Sequence, residues 1–361
     1  MSFLSAGETR LAGAKRTSNG PPKGTTAMSE AAARILTQAW LIDEVIRPQL
    51  PNIKENLASC MAKISENNGD EFKFPLSSHN SETLKGVISR SNFRVTGLSV
   101  SIRSKSIGRA LHLRLKDNST LILRQLLDCH DLIYNAINTI SKIQTLQETQ
   151  PAVLLKILST LYGQIQLAKK SLLFPTEAYM FPRYRLPHQL FEPELPENVA
   201  LDLVISNSDL SIDLKVVKPI THRPWDLIID VPNRVSFADH VRAKISQDRT
   251  RSISTILCEE YRKLLDSRRK NGAENGGFLK SVFAGNAEPS CSTVLKMSSK
   301  YLEESITYVD NSNSPVVVTI QETCDVVTSD PMLLSITIKL DSLEKSVGKL
   351  LENLKLISTP V

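Results

Sequence analysis

Residues 331–357 read PMLLSITIKLDSLEKSVGKLLENLKLI. Within them Leu333, Ile336, Leu340, Leu343, Val347, Leu350, Leu354 and Ile357 recur in alternating steps of three and four. That is the a/d heptad spacing, which holds one apolar seam on one side of a helix. Asp330 supplies an N-cap, and Pro331 stands in the first turn, where its missing N–H is tolerated. Lys345, Lys349 and Lys355 mix with Glu344 and Glu352 on the outer side. A helix with a single apolar seam is unstable alone in water, so the rest of the chain must supply matching seams.

Three such seams lie far upstream. Ser29 is placed to cap a first helix, in which Ala39, Ile42 and Ile46 share a face and Leu50, Ile53, Leu57, Cys60 and Ile64 continue it. Pro48 and Pro51 interrupt this helix; Pro48 has no N–H to donate one turn back, which predicts a kink or break near Arg47. Asn67-Asn68-Gly69-Asp70 predicts its end. Asn118-Ser119 opens a second helix carrying Ile122, Leu126, Cys129, Ile133, Ala136, Ile140 and Ile143, and Gln150-Pro151 opens a third carrying Leu154, Leu158, Leu161, Ile165, Ala168 and Leu172. The short connection at Gln147–Gln150 makes these two antiparallel neighbours.

Between the seams the apolar period falls to two. Phe93 and Val95, then Leu98, Val100 and Ile102, alternate with polar residues, with Gly97 marking a bulge. Leu111, Leu113 and Leu115 form an antiparallel partner strand. Residues 174–199 hold Pro175, Pro182, Pro187, Pro193 and Pro196 and read as an extended connector. Leu201, Leu203 and Ile205 pair across Ser206-Asn207-Ser208-Asp209 with Leu210, Ile212, Leu214 and Val216 in a hairpin. Leu227–Val231 and Val316–Ile320 read as further strands, residues 236–270 as a charged helical stretch, and 271–291 as a mobile loop.

The expected architecture is α+β. Residues 29–66, 118–173 and 331–357 form an antiparallel four-helix bundle from N-terminal, middle and C-terminal helices. Residues 86–117 and 198–330 form a discontinuous, antiparallel β-rich lobe with a charged helix-and-loop insertion at about 236–295. Residues 1–28, rich in Gly, Ser, Thr and Lys, form a disordered tail. Heptads also permit the last helix to zip with another chain; four seams within one chain favour internal packing.

The formal net charge is +6, and its location matters more than its size. Residues 1–28 carry +3 and residues 234–270 carry +5, two more than the whole chain, so the remainder carries −2. A near-neutral body with 5% aromatic residues lacks the basic stripe with interleaved aromatics of a nucleic-acid surface. The five cysteines form no CxxC pair and read as free thiols in a reducing compartment. No apolar run reaches membrane-span length, and Met1–Met28 has no apolar core of a secretory signal.

Catalytic signatures are missing: there is no GxxxxGK[ST] loop, no GxGxxG after a strand, no HExxH and no GxSxG. No catalytic, cofactor-binding or metal-ligating residue is therefore assigned. His79, His112, His130, His188, His222 and His240 are scattered. His130 lies next to Asp128 and Asp131, but adjacent helical positions point apart and do not converge on a ligand. His112 alternates with Leu111 and Leu113 and falls on the solvent face. One aromatic cluster mixes with arginine: Tyr179-Met180-Phe181-Pro182-Arg183-Tyr184-Arg185-Leu186-Pro187. It reads first as packing between lobes, then as a partner interface or a base-stacking platform. Arg268-Arg269-Lys270 reads as a solvated helix end, with an acidic partner or an anionic membrane as the alternative.

Several motifs, in order, resemble one family. Leu41-Ile42-Asp43-Glu44-Val45 resembles the LLxDEV opening of the Rogdi family. Leu111-His112-Leu113-Arg114-Leu115-Lys116-Asp117 is similar to its strand leading into a long helix. Leu195-Pro196-Glu197-Asn198-Val199-Ala200-Leu201-Asp202-Leu203 is similar to its LPxDLxVxxxI stretch. The closing strand and leucine-rich helix fall in the same order, so the resemblance covers most of residues 36–357. The N-terminal extension and the insertion near 236–295 depart from the animal form, and no family role carries over to them.

This resemblance implies a helical bundle with a β lobe, no catalytic residues and no cofactor. The fungal members are the smaller subunit of the RAVE complex. Membership would make the chain a cytoplasmic adaptor, reaching endosomal and vacuolar membranes peripherally through its partners. Those implied partners are a large β-propeller-containing subunit, a small adaptor of the SCF ubiquitin-ligase type and stalk subunits of the peripheral sector of the vacuolar proton-ATPase. The implied role is reassembly of that sector onto the membrane sector, in support of acidification. The alternative is a self-associating leucine-zipper scaffold unrelated to proton pumps.

Overall fold

The computed structural model describes residues 23–65, 71–78, 83–108, 110–145, 150–274, 288–310 and 312–358. Helix α1 (Lys23–Trp40) passes through a π-helical turn (Leu41–Ile46) into α2 (Arg47–Ser65). The proline effect expected near Arg47 takes this form. Pro48 cannot donate to Glu44, and the Arg47 N–H reaches back five residues to the Ile42 carbonyl. Helix α1 begins six residues before Ser29, and Ala39 is exposed instead of joining the apolar face. Residues 1–22 of the expected tail, the helix end at 67–70, most of the Gln147–Gln150 connection and 275–287 of the expected loop lie outside the described residues.

Helices α3 (Arg124–Thr145), α4 (Pro151–Leu173) and α9 (Pro331–Ser358) carry the other seams. From Leu126 to Ile143, from Leu154 to Leu172 and from Leu333 to Leu354, every seam residue named above is buried, as are Leu50 to Ile64 on α2. Ile357 is only half-buried, and Ile122 lies before α3, in β5 (Leu121–Ile122), and is exposed. Side-chain pairs fix the directions. Lys63 donates to Ser335 and Lys339 to Ser59, so α2 and α9 run antiparallel. Lys169 meets Asp341 and Tyr162 meets Glu344, which sets α4 antiparallel to α9. Thr139 donates to Gln164 and Gln125 to Ser171, which sets α3 antiparallel to α4.

Two antiparallel sheets flank these helices. The first has the order β1 (Phe72–Ser77), β2 (Leu84–Ser91), β3 (Arg94–Ile102), β4 (Leu111–Leu115), β6 (Phe191–Glu192), with β5 beside β3. Strand β1 was not anticipated. The bulge expected at Gly97 is present: Ser89 pairs with Gly97 and Arg90 with Val95, leaving Thr96 extra. The second sheet has the order β11 (Ser305–Val309), β12 (Pro315–Ser329), β8 (Asp209–Pro219), β7 (Val199–Ser206). The expected β7–β8 hairpin turns at Asn207 and Ser208, both at positive φ. Strand β12 extends nine residues past Ile320, beyond a second register shift.

Helices and both sheets share one core. The β7–β8 turn also caps α4, because the Asn207 and Ser208 N–H groups donate to the Leu173 and Leu172 carbonyls. A separate cluster forms around Trp225, joining α5 (Phe237–Gln247), α6 (Ile253–Glu274), α7 (Cys291–Lys296) and α8 (Ser298–Glu304) beside the short β9 (Ile228–Asp230) and β10 (Val235–Ser236). Here one expectation fails: Cys258 on α6 and Cys291 on α7, 33 residues apart, are disulfide-bonded with Cα atoms 6.0 Å apart. Packing of α6 on α7 brings them together, which no local spacing signals. Cys60, Cys129 and Cys324 are free and buried.

Candidate interaction surface

The helices and sheets are joined by a few buried polar groups. Arg90 on β2 and Asp330, before α9, are both fully buried, and the Arg90 Nε donates to Asp330 Oδ2 at 2.8 Å. Asp330 Oδ1 meanwhile accepts from the N–H groups of Met332 and Leu333, so the predicted N-cap also anchors the first sheet. Gln125, near the start of α3, donates to the carbonyls of Ser171 and Ile205 and accepts from the Ile205 N–H at 2.7 Å. It thereby ties α3, α4 and the outer edge of β7 together.

The proline-rich connector also meets that edge. Leu186 N–H donates to the Leu201 carbonyl, and Phe181 N–H donates to Asp202 Oδ2 at 2.8 Å. An unpaired strand edge invites association with other chains, so this cover matters. Asp202 is buried, and its other carboxylate oxygen has no hydrogen-bond partner. Burial pushes its carboxyl up to about 6, against the Phe181 hydrogen bond and the Lys215 charge, which pull it down.

The aromatic residues of the connector are mostly turned inward. Phe181 packs on Tyr308 with ring centroids 5.1 Å apart and lies under the Lys215 ammonium. Tyr179 and Tyr184 both stack with Arg124, and the Arg185 guanidinium donates to the Tyr308 hydroxyl and lies over its ring. These contacts pack the connector against the start of α3 and the second sheet. The arginines are distributed differently. A cleft of about 390 Å³ opens between the connector, the β9–β10 turn and the β11–β12 turn, lined by Arg183, Arg185, His188, Arg234 and Asp310 among others. Arg183 is exposed, and its one ion pair among the described residues is a 3.5 Å contact with the still more exposed Glu177. Asp310 accepts from the Ser312 N–H and hydroxyl and from the Ser314 N–H. Burial opposes these contacts, yet they and the Arg185 charge hold its carboxyl below the usual range.

The other sequence candidates do not assemble. His130 contacts Asp131 at the surface, Asp128 accepts from Tyr179, and His112 is exposed opposite Ser101. Among the described residues no group of three or more His, Cys, Asp or Glu is arranged to hold a metal ion. Many charges of the 236–270 stretch are used internally. Arg242 donates to the Leu302 carbonyl and pairs with Asp239, and His240 contacts Glu260. Arg251 and Lys263 hold the Glu259 carboxyl down at about 2. Among the described residues no helix is long and apolar enough to cross a membrane.

Sequence reasoning named Asp330 only as a cap and passed over Arg90, Gln125 and Asp202. Arg90 and Gln125 act across more than forty residues of chain, beyond the reach of any local pattern.

Comparison with known proteins fits this architecture. Residues 37–355 match the family model described as Rogdi leucine zipper containing protein. Over 333 residues the chain is 26% identical to "Regulator of V-ATPase in vacuolar membrane protein 2" of Saccharomyces cerevisiae, covering 88% of this chain and 90% of that protein. The Schizosaccharomyces pombe protein of the same name is 25% identical over 215 residues, covering 51% of this chain and 73% of its own. The matched span runs from before the first seam almost to the end of the last, and the chain belongs to the Rogdi leucine zipper family.

Proposed function

We propose that this chain regulates the vacuolar proton-ATPase as a non-enzymatic adaptor, promoting assembly of the peripheral sector on the membrane sector and so supporting vacuolar and endosomal acidification. The observation that carries this reading is the near end-to-end match to a relative named as a regulator of V-ATPase in the vacuolar membrane. In this reading the chain is the smaller subunit of a RAVE-like complex. Its partners are a large β-propeller-containing subunit, a small SCF-type adaptor and stalk subunits of the peripheral sector. It works in the cytoplasm and reaches the membrane through those partners, without nucleic acid.

The reading has a structural counterpart. Residues 29–66, 118–173 and 331–357 act as an antiparallel four-helix bundle, and residues 86–117 and 198–330 as a β-rich lobe that presents loops to partners. Support over a self-associating zipper comes from the closing heptads: Leu333 to Leu354 are buried within this chain, so a second chain would have to displace that packing. Removal of the chain from its cell is expected to raise vacuolar pH and shift peripheral-sector subunits from membrane to soluble fractions. Unchanged acidification and unchanged fractionation would refute the assignment.

A further inference from the structure

The cleft beside the connector is lined by more cationic than anionic side chains. Three arginines from two separate segments line it: Arg183 and Arg185 on the connector, and Arg234 at the β9–β10 turn. Its lining carboxylate, Asp310, accepts hydrogen bonds from its own loop and lies in the field of Arg185, so Arg183 and Arg234 are the cationic groups that face the opening. The Arg183–Glu177 contact is exposed at both ends and is worth little in water. Guanidinium groups present paired donors that match carboxylates. We infer that this cleft binds an acidic peptide segment of a partner protein, with Arg183 and Arg234 as its specificity-determining contacts; the inference rests on the adaptor reading.

The same geometry disfavours other anions. A single-strand platform needs exposed rings on which bases stack. Here Tyr308 and Phe181 are buried, and Tyr179 and Tyr184 stack with Arg124. A membrane presents a broad flat surface, whereas this site is a recess of about 390 Å³ between two turns and a connector, suited to a narrow chain. Arg185 is held by Tyr308 and sets the floor, while Arg183 and Arg234 are exposed at the rim.

The test is fluorescence anisotropy of a labelled hexaglutamate peptide with the purified full chain at low salt. Binding is expected, weakened about tenfold or more by Arg183→Glu with Arg234→Glu. Glutamine at both positions should give a smaller loss. Both substituted residues are at the surface, and thermal melting establishes that each variant is folded. Arg262→Glu with Arg269→Glu, which removes the same charge from α6, should bind like the parent. No binding, or equal loss in the α6 control, overturns the inference. So does displacement by inorganic phosphate at the peptide's own concentration. Phosphatidylserine vesicles or a single-stranded oligonucleotide binding more tightly through the same arginines would overturn it in favour of those ligands. Because the assay uses a synthetic peptide and one purified chain, its failure leaves the adaptor assignment standing.

Discussion

Asp330 caps α9 with one carboxylate oxygen and holds the buried Arg90 guanidinium with the other. Removing one member of such a pair strands a charge out of water, which costs about 3–5 kcal/mol, whereas replacing both by apolar or neutral groups is often tolerated. Arg90→Ala is therefore expected to lose about that much stability in urea unfolding, and Arg90→Met with Asp330→Asn to regain most of it. A single variant within about 1 kcal/mol of the parent would mean the pair does not join sheet to helix. The cap was legible because Asp-Pro before a heptad is a local signal. Its partner was not, because the bulge opposite Ser89–Arg90 breaks the alternation there. Asp202 adds a pH dependence. Its folded carboxyl is raised from 3.8 to about 6, so the native state holds the proton more tightly than the unfolded chain. That stability is present below about pH 4 and is lost as pH rises through 6, to a total of roughly 3 kcal/mol. Asp202→Asn, which keeps an acceptor for the Phe181 N–H, should flatten the stability profile between pH 4 and 7. An unchanged slope would place the titration elsewhere.

The closing helix is the element most fully written in the sequence, because a 3–4 repeat over seven steps has few competing readings. Leu343→Asp or Leu350→Asp puts a lone carboxylate into an apolar seam, and either variant should fail to melt cooperatively by circular dichroism. Melting like the parent would mean that the seam is solvent-facing. Strand β12 was half legible. Val316–Ile320 is a continuous apolar run, but the register shift after Ile320 resets the alternation, and Cys324, Val326 and Thr328 then read as isolated residues. The α6–α7 pairing was not legible at all. A disulfide closing 33 residues adds roughly 3–4 kcal/mol in the chain-entropy account. Thiol titration of the unfolded, unreduced protein should count three thiols among the five cysteines. A count of five would restore the free-thiol expectation.

At the scale of the molecule, α2, α3, α4 and α9 and both sheets bury apolar faces in one core, and α5 to α8 in a second cluster around Trp225. The chain crosses between helix and sheet repeatedly, so neither part is contiguous in sequence. Periodicity gave the fold class and the order of elements, since each seam and each hairpin is a local pattern. It could not give the cleft beside the connector, because Arg183 and Arg234, fifty-one residues apart, line one recess only in the folded chain. The family match supplies the functional direction, and no residue on its own does so. The most direct test is native affinity purification of the tagged full chain, with co-purifying proteins identified by mass spectrometry. The prediction is recovery of a large β-propeller-containing subunit together with stalk subunits of the peripheral proton-ATPase sector. Recovery of the chain alone, or only with other copies of itself, would contradict the assignment to proton-ATPase assembly.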